Sequence, residues 1–315
     1  MQTRLQSDRK GSSNPLSTGA SFNQPKFCPN ASWNPNGITF ADRHTVGYWP
    51  HSIFIDTHND IYVADRENSR LLIWLNNSVA PTFFNLTSAS EPLSLFVENS
   101  DEIYVDNGLL NGRVDKWTIN GTRMNTPMFT ASSCYGIFVD ITHNMYCCLN
   151  DSHQVISRLL TSDTSTLTIA AGTGCPGKSS KMLYIPRGIF VHTNLDLYVA
   201  DSGNNRVQLF HSGQLNGTTV AGIDAPGTIS LKYPTGIVLD GNGYLFIVDC
   251  YNARIIGSDS NGFRCLVGCS QMNNTFNQLS APFQLSFDFD GNMFVVDGAN
   301  HRIQKFLIST NSCGK

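Results

Sequence analysis

Charged residues and long apolar runs are both scarce in this sequence. Only 14% of the 315 residues are charged and 41% are hydrophobic, which excludes a disordered polyelectrolyte. No apolar run approaches the roughly 18 residues that a membrane-spanning helix requires, so we predict no membrane span. The net charge is −3, and without a basic excess we do not expect nucleic acid as a partner. The composition predicts a globular, β-rich protein, which we expect to be a monomer.

A secretory signal is also missing from the beginning of the sequence. Residues 1–27 are polar and lack the apolar segment of such a signal, so we predict a disordered tail before a domain at residues 28–315. Nine cysteines and seven glycosylation sequons nevertheless favour an extracellular protein, whose signal would then lie upstream of this sequence. The candidate glycosylation sites are Asn30, Asn76, Asn85, Asn120, Asn150, Asn216 and Asn273.

A repeated pattern accounts for almost the whole chain. Residues 50–74 contain PHSIFID, DIYVAD and NSRLL, and residues 186–210 contain PRGIFV, DLYVAD and NNRVQLF in the same order. Further copies begin at Pro92, Cys134, Pro234 and Pro282, which makes six copies. Their centres are 42 to 52 residues apart, a spacing typical of stacked supersecondary units.

Each copy predicts four short antiparallel strands. An apolar run such as residues 53–55 predicts a strand buried on both faces. A turn follows, and then a second strand rich in β-branched and aromatic residues, such as residues 61–63. A third strand alternates as at residues 206–210, and a more variable fourth strand lies farther out, as at 166–170. Because no helical periodicity is present, the six copies predict an all-β, six-bladed β-propeller.

The two ends of the chain are predicted to close the ring. After residues 303–306, the third strand of the last copy, only nine residues remain, too few for a well-formed outer strand and a loop. We therefore expect residues 37–41 to supply the missing outer strand, so that one blade joins both ends of the chain. Cys28 and Cys313 flank this seam, and in an oxidising compartment we expect a disulfide between them.

The copies resemble NHL repeats, most clearly at residues 188–210. The resemblance extends over about residues 28–313 and implies a six-bladed propeller that serves as a binding platform for proteins, nucleic acid or small molecules. The third copy departs from the family pattern, with Leu149 in place of the aspartate and Gln154 in place of the arginine. The second copy inserts a residue before Arg113. Because propellers include both enzymes and scaffolds, the resemblance determines fold more closely than function.

An aspartate and an arginine five residues apart recur across the turn between the second and third strands. The pairs are Asp65 with Arg70, Asp201 with Arg206, Asp249 with Arg254 and Asp297 with Arg302. One interpretation is a ring of arginines for anionic ligands. Since every arginine has its own carboxylate, we favour an ion pair that stabilises each turn.

The mouth of the central channel is not predicted to bind a metal. The residues expected there, each near the beginning of an innermost strand, are His51, Leu93, Tyr135, Arg187, Thr235 and Phe283. The following positions are mostly small, as crowding at the axis requires: Ser52, Ser94, Gly136, Gly188, Gly236 and Gln284. A gluconolactonase-type hydrolase needs acidic or amide ligands at this mouth, and an amidating-lyase propeller needs histidines from separate blades for zinc. Since His51, His153 and His301 differ in radial position, we predict no metal site and no cofactor.

Three shorter motifs have simple structural interpretations. Residues 288–292 resemble a calcium loop but lack its later glutamate, so we predict a hairpin turn. Cys147 and Cys148 are predicted to be buried thiols, and Cys265 with Cys269 allows a local disulfide. No Gly-X-Ser-X-Gly elbow, phosphate loop or dinucleotide fingerprint is present, and no catalytic residue is predicted.

Ten aromatic, arginine and histidine side chains are predicted to lie on one face of the propeller. These residue types are enriched at surfaces that bind other proteins. The ten residues are Tyr48, Trp49, His51, Tyr135, Tyr184, Arg187, Tyr233, Tyr251, Phe283 and His301. The same residues also suit packing at strand ends. Asn76, Asn120 and Asn216 recur on the opposite face, where glycans would leave the aromatic face clear. We predict a non-enzymatic scaffold that binds a protein or peptide; the alternatives are a metal-dependent lyase or hydrolase and an RNA-binding or ubiquitin-ligase-associated domain.

Overall fold

The computed structural model describes residues 21–75, 78–86, 91–99, 102–108, 111–130, 132–223, 225, 227–269 and 278–312. Before the first blade lie β1 (Ser32–Trp33), β2 (Ile38–Ala41) and the four-residue helix α1 (Arg43–Val46). Blades 1 and 2 contain β3 (Ser52–Ile55), β4 (Ile61–Asp65), β5 (Arg70–Trp74), β6 (Thr82–Asn85), β7 (Leu95–Asn99), β8 (Glu102–Asp106), β9 (Arg113–Trp117) and β10 (Arg123–Phe129). Blades 3 and 4 contain β11 (Cys134–Val139), β12 (Asn144–Leu149), β13 (Gln154–Leu159), β14 (Thr168–Gly172), β15 (Pro186–Val191), β16 (Leu197–Asp201), β17 (Arg206–Phe210) and β18 (Thr218–Gly222). Blades 5 and 6 add β19 (Pro234–Leu239), β20 (Leu245–Asp249), β21 (Arg254–Asp259), β22 (Gly262–Val267), β23 (Pro282–Phe287), β24 (Met293–Asp297) and β25 (Arg302–Phe306), and the last strand is β26 (Ile308–Thr310).

The predicted six-bladed propeller is confirmed. Each blade is a four-stranded antiparallel sheet whose strands follow chain order from the axis outward, except in the blade that contains both ends of the chain. The second strands carry an unbroken apolar run, as in β20, where all five residues are buried. This burial on both faces explains why each blade needs a neighbour on either side.

The two ends of the chain close the ring as the sequence predicts. Strand β2 is the outermost strand of blade 6, where Ile38 lies opposite Lys305 and Thr39 opposite Gln304 in β25. A second junction, between β1 and β26, was not predicted. Cys28 is buried and its backbone N–H donates to the Asn311 side chain at 2.8 Å. Cys313 lies outside the described residues, so its pairing with Cys28 stays a prediction.

The innermost strands approach one another closely at the axis. A Cβ atom on Gly188 would lie 2.1 Å from the carbonyl oxygen of Thr235 in the next blade, so this position requires glycine. Farther along these strands, Phe54, Phe96, Phe138 and Phe190 form a row with ring centroids 4.9–5.1 Å apart. The face at which the innermost strands begin is called the top face here. The opposite face, at which they end beyond the phenylalanine row, is called the bottom face.

The last residues of the stretch predicted to be a tail contact the propeller. Residues 21–27 lie against the bottom face: Phe22 bridges to Asp56, and Phe27 is only 2% exposed. The polar composition of this stretch suggested a tail. Its two phenylalanines, however, pack on apolar surface that exists only once the ring of blades has closed. Residues 1–20 lie outside the described part of the chain.

All four aspartate–arginine pairs form an ion pair across their turn, with Nε to carboxylate distances of 2.6–2.7 Å. The arginines are at most 20% exposed and the aspartates are fully buried. Blade 2, which has an inserted residue in this turn, lacks this arrangement among the described residues. Its arginine, Arg113, forms an ion pair with Asp115. In the strand register Asn107 takes the place of the usual aspartate, and its side-chain amide donates to Asp115. Asp106 lies one position earlier, equivalent to Ala64 of blade 1, and accepts backbone N–H groups from Cys134 and Gly108.

Candidate functional site

The turn aspartates also position the segments that lead into the innermost strands. In blades 4, 5 and 6 the aspartate accepts the backbone N–H of Tyr184, Lys232 or Ser280, each at 2.6–2.7 Å. Each of these residues is followed by a left-handed residue and then by the proline that begins the strand. Because a residue before proline prefers extended backbone, this conformation is strained and depends on the buried aspartate for support.

Tyr233 of blade 5 and Trp49, which takes the equivalent place before Pro50 in blade 1, are aromatic left-handed residues at the top face. Trp49 has a φ of 53° and Tyr233 a φ of 56°, and both lie one residue before a proline. They border a cavity of about 690 Å³ over the axis. Its lining consists of Tyr48, Trp49, His51, Arg66, Glu67, Glu91, Leu93, Tyr135, Arg187, Tyr233, Cys250, Tyr251, Ala281 and Phe283. This set is called the top cavity below.

Eight of the ten predicted face residues line the top cavity. The two others do not: Tyr184 packs against His153, and His301 packs behind Tyr48 and Trp49. Five further residues of the lining were not predicted from the sequence: Arg66, Glu67, Glu91, Cys250 and Ala281. Four of these lie in turns or just before a strand, where the repeat pattern is least regular, and Cys250 begins a 3₁₀ turn.

Arg187 contributes a positive charge to this cavity, and no carboxylate of the described residues forms an ion pair with it. Its guanidinium carbon lies 4.8 Å from the ring centroid of Tyr135 and 5.2 Å from that of Tyr233. Its Nε donates to the Tyr233 hydroxyl at 3.2 Å, while Nη1 and Nη2 donate to no atom in the described residues. No acidic side chain of the described ranges lies within 4 Å, in contrast to the turn arginines. Two aromatic rings thus hold the planar group and leave its paired N–H donors available.

His51 is a neutral hydrogen-bond acceptor beside this charge. Its Nδ1 donates to the Leu93 carbonyl at 2.8 Å, and its ring stacks on Phe283 with centroids 4.5 Å apart. Burial, assisted by the positive charge of Arg187, lowers the pKa of His51 to about 3. With Nδ1 carrying the proton, the unprotonated Nε2 can accept a hydrogen bond from a ligand.

The residues of the top cavity do not fit a zinc site of three histidines. His51 is the one histidine of its lining, and the equivalent positions of the other blades carry Leu93, Tyr135, Arg187, Thr235 and Phe283. Across the described ranges, no three His, Cys, Asp or Glu side chains are grouped to hold a metal ion.

The cysteines are only partly as the sequence suggested. The local disulfide Cys265–Cys269 forms. The prediction that Cys147 is a free thiol is wrong, because it forms a disulfide with Cys134 on the neighbouring strand. Cys148 is a buried thiol, as expected of the next residue on the strand, whose side chain points to the other face.

The predicted glycosylation sites differ in exposure. Asn30, Asn85, Asn120 and Asn216 are exposed. Asn150 is 7% exposed and its side chain donates to the Pro186 carbonyl, so the folded protein does not present it for modification. Asn76 and Asn273 lie outside the described residues.

The loop at residues 288–292 is a hairpin turn in which Asp288 accepts the backbone N–H of Asn292.

Comparison with known proteins agrees with this architecture. Residues 48–74 and 183–210 match the family model of the NHL repeat. The chain is thus a six-bladed β-propeller in which these two segments match the NHL repeat. In the described part of the chain, no helix is long and apolar enough to cross a membrane.

One curated relative is described as a probable peptidyl-α-hydroxyglycine α-amidating lyase from Caenorhabditis elegans. It is 28% identical over 131 residues, which span 40% of this chain and 37% of that protein. The virginiamycin B lyase of Staphylococcus aureus has a similar structure, with a TM-score of 0.59 and 13% identity over 88% of this chain and 100% of that chain. A gluconolactonase from Xanthomonas campestris gives a TM-score of 0.64 and 14% identity, covering 91% of this chain and 98% of its own. At these identities the structural matches show the fold alone.

Proposed function

We propose that the chain binds peptides through the top cavity and that Arg187 recognises their terminal carboxylate. The observation that carries this proposal is the guanidinium of Arg187, which lies between Tyr135 and Tyr233 and has no carboxylate partner in the described part of the chain. A carboxylate is the complementary group, because its two oxygens match the two free N–H donors of the guanidinium edge. The half-buried position of Arg187 beside two tyrosine rings strengthens this pairing relative to water.

The rest of the cavity suits the residues before the carboxylate. Tyr233 and Tyr251 stack with centroids 4.5 Å apart, and Tyr251 is 60% exposed at the rim. Trp49 is 43% exposed beside them. Large rings of this kind provide contact area at low entropic cost, which is typical of peptide-binding surfaces. The neutral Nε2 of His51 accepts a backbone or side-chain donor of the ligand.

Binding of a peptide pool tests the assignment directly. A pool of short peptides with free carboxyl termini is compared with the same pool carrying terminal amides, using the immobilised protein and mass spectrometry. We expect the acids to be enriched at least tenfold, since a charge-assisted hydrogen bond contributes about 1.5–3 kcal/mol. Equal capture of acids and amides contradicts the proposal.

Two variants locate the effect. Arg187→Gln removes the carboxylate-binding donors and is expected to abolish the preference for acids. Lys232→Gln removes a positive charge from the same side of the propeller without altering the lining of the top cavity, and should keep the preference. Unfolding midpoints in urea verify that both variants are folded.

A lyase acting on peptidyl-α-hydroxyglycine is the second candidate. It is favoured by the 28% identity to the nematode protein described as such a lyase. That substrate ends in a carboxylate, so Arg187 would bind it in the same way. Incubation with a hydroxyglycine-extended peptide distinguishes the two functions. Formation of the peptide amide, dependent on Arg187, would assign the enzyme, whereas binding without conversion would assign the scaffold.

A further inference from the structure

Residues 21–27 cross the bottom face and are called the strap below. In blade 1, the backbone N–H of Thr57 donates to the Ser21 carbonyl at 3.2 Å, and that of Asn23 to the Ile55 carbonyl at 3.4 Å. In blade 5, the Gly241 N–H donates to the Pro25 carbonyl at 3.1 Å. The strap thus joins two blades that are not neighbours in the ring.

The side chain of Phe22 packs against the row of four phenylalanines on the innermost strands. The Phe22 centroid lies 5.4–6.4 Å from those of its neighbours, and all four contacts are edge-to-face. This arrangement is favourable for aromatic pairs. The four residues, called the aromatic socket, occupy the same position on four successive innermost strands: Phe54, Phe96, Phe138 and Phe190.

The residue after Phe22 is recognised by polar contacts. The side-chain amide of Asn23 donates to the Asp56 carbonyl at 2.7 Å and to Oδ1 of Asn59 at 2.9 Å. The bottom face therefore contacts both side chains of an extended Phe-Asn sequence. Because separate residues contact the aromatic ring and the amide, each position of the peptide is selected independently.

The two ends of the strap are fastened unequally. Phe27 is 2% exposed, packs against Trp33 and Phe287 at 4.9 Å, and donates its N–H to Asp240 at 3.0 Å. Residues 21–25 are only half-buried, and residue 26 is exposed. The hydroxyl of Ser21 is buried without a hydrogen-bond partner. Half-buried segments open at lower free energy than fully buried ones, so residues 21–25 can lift while Phe27 stays in place.

A neighbouring cavity shows that the socket is incompletely filled. About 260 Å³ lies beside Phe22, bordered by Phe96, Phe138 and Val191. A longer or differently oriented segment has room to enter on this side. Removal of Phe22 would also expose a contiguous apolar surface at the channel mouth, and such surfaces mark interaction sites.

We propose that the bottom face is a docking site for an extended peptide containing the sequence Phe-Asn, and that the strap is its resident, displaceable occupant. The partner places its phenylalanine in the aromatic socket and its asparagine amide between Asp56 and Asn59. Because the site lies at the opposite end of the innermost strands, it is separate from the top cavity.

Hydrogen exchange of the full chain tests displacement. The probe is a synthetic peptide with the sequence of residues 21–26, and its control carries alanine in place of phenylalanine. We expect the probe to increase exchange at the amide of Asn23 at least fivefold, because this amide leaves with the strap, and the control peptide to have no effect. The amide of Thr57 should stay protected, because the serine carbonyl of the bound probe replaces that of Ser21. Exchange of the Asn23 amide only through global unfolding, with no response to the probe, would overturn the proposal.

Two variants separate docking from a general loss of structure. Phe22→Ala empties the socket of its own ring and is expected to bind the probe at least tenfold more tightly than the wild type. Phe83→Ala removes a phenylalanine that is 55% exposed on β6, far from the socket, and should leave probe binding unchanged. Equal affinity in all three chains contradicts the proposal. Dimerisation at high concentration that Phe22→Ala abolishes would assign the socket to the strap of a second copy instead.

Discussion

The buried pair of Asp201 and Arg206 should contribute more to stability than its counterparts. The side chain of Arg206 is 5% exposed, its Nε lies 2.7 Å from Asp201, and its remaining donors reach the carbonyls of Lys178, Ser179 and Met182. Arg206→Leu leaves a buried carboxylate without its cation, which costs about 3–5 kcal/mol. We therefore expect a loss of about 4 kcal/mol in the free energy of unfolding, measured by urea denaturation with tryptophan fluorescence.

Arg254→Leu is the matched comparison. Arg254 is 20% exposed and donates to one loop carbonyl, that of Ser230, besides Asp249. Greater exposure and fewer hydrogen bonds reduce the expected loss to about 2 kcal/mol. Equal losses in the two variants would refute the argument that burial and the loop carbonyls determine the difference.

The pH dependence of the Arg206→Leu variant provides a second check. Burial raises the pKa of Asp201, and its hydrogen bonds and Arg206 oppose this effect. Without Arg206 the pKa rises further, so the ionised carboxylate destabilises the folded state at neutral pH. The loss should shrink as pH falls from 7 towards 4, because protonation then removes the unpaired charge. Adding Asp201→Asn should recover about half of the loss at pH 7, and a pH-independent loss would contradict this account.

Two further perturbations address blade 2 and the axis. Burial raises the pKa of Asp106 to about 7, so stability should fall by up to about 4 kcal/mol as pH rises from about 4 to 7. Urea midpoints across this range should show the slope, and an Asp106→Asn variant with an undiminished slope would contradict it. Gly188→Ala forces a methyl group against the Thr235 carbonyl and should cost about 2–3 kcal/mol by the same assay. Gly213→Ala, where nothing lies within 4 Å, carries only the strain of a φ of +73° and should cost about 1 kcal/mol.

The strap and the Cys134–Cys147 disulfide show which contacts could not be predicted from the sequence. Phe22 lies in a polar stretch without periodicity, and its four partners are between 32 and 168 residues away along the chain. The Cys134–Cys147 bond depends on how two strands of one blade face each other. Such contacts leave no local pattern, because they are set by distances across the assembled ring.

The amino-acid sequence alone determined the number of blades, their strands, the turn ion pairs and the seam between residues 37–41 and 303–306. These features repeat at a regular spacing, and each depends on chemistry within one blade or on a missing strand. Only the tertiary structure decided that Arg187 has no carboxylate partner among the described residues, that Tyr184 and His301 lie outside the top cavity, and that Asn150 is buried. The physical reason is that these properties arise between blades, where the side chains of one repeat meet those of another.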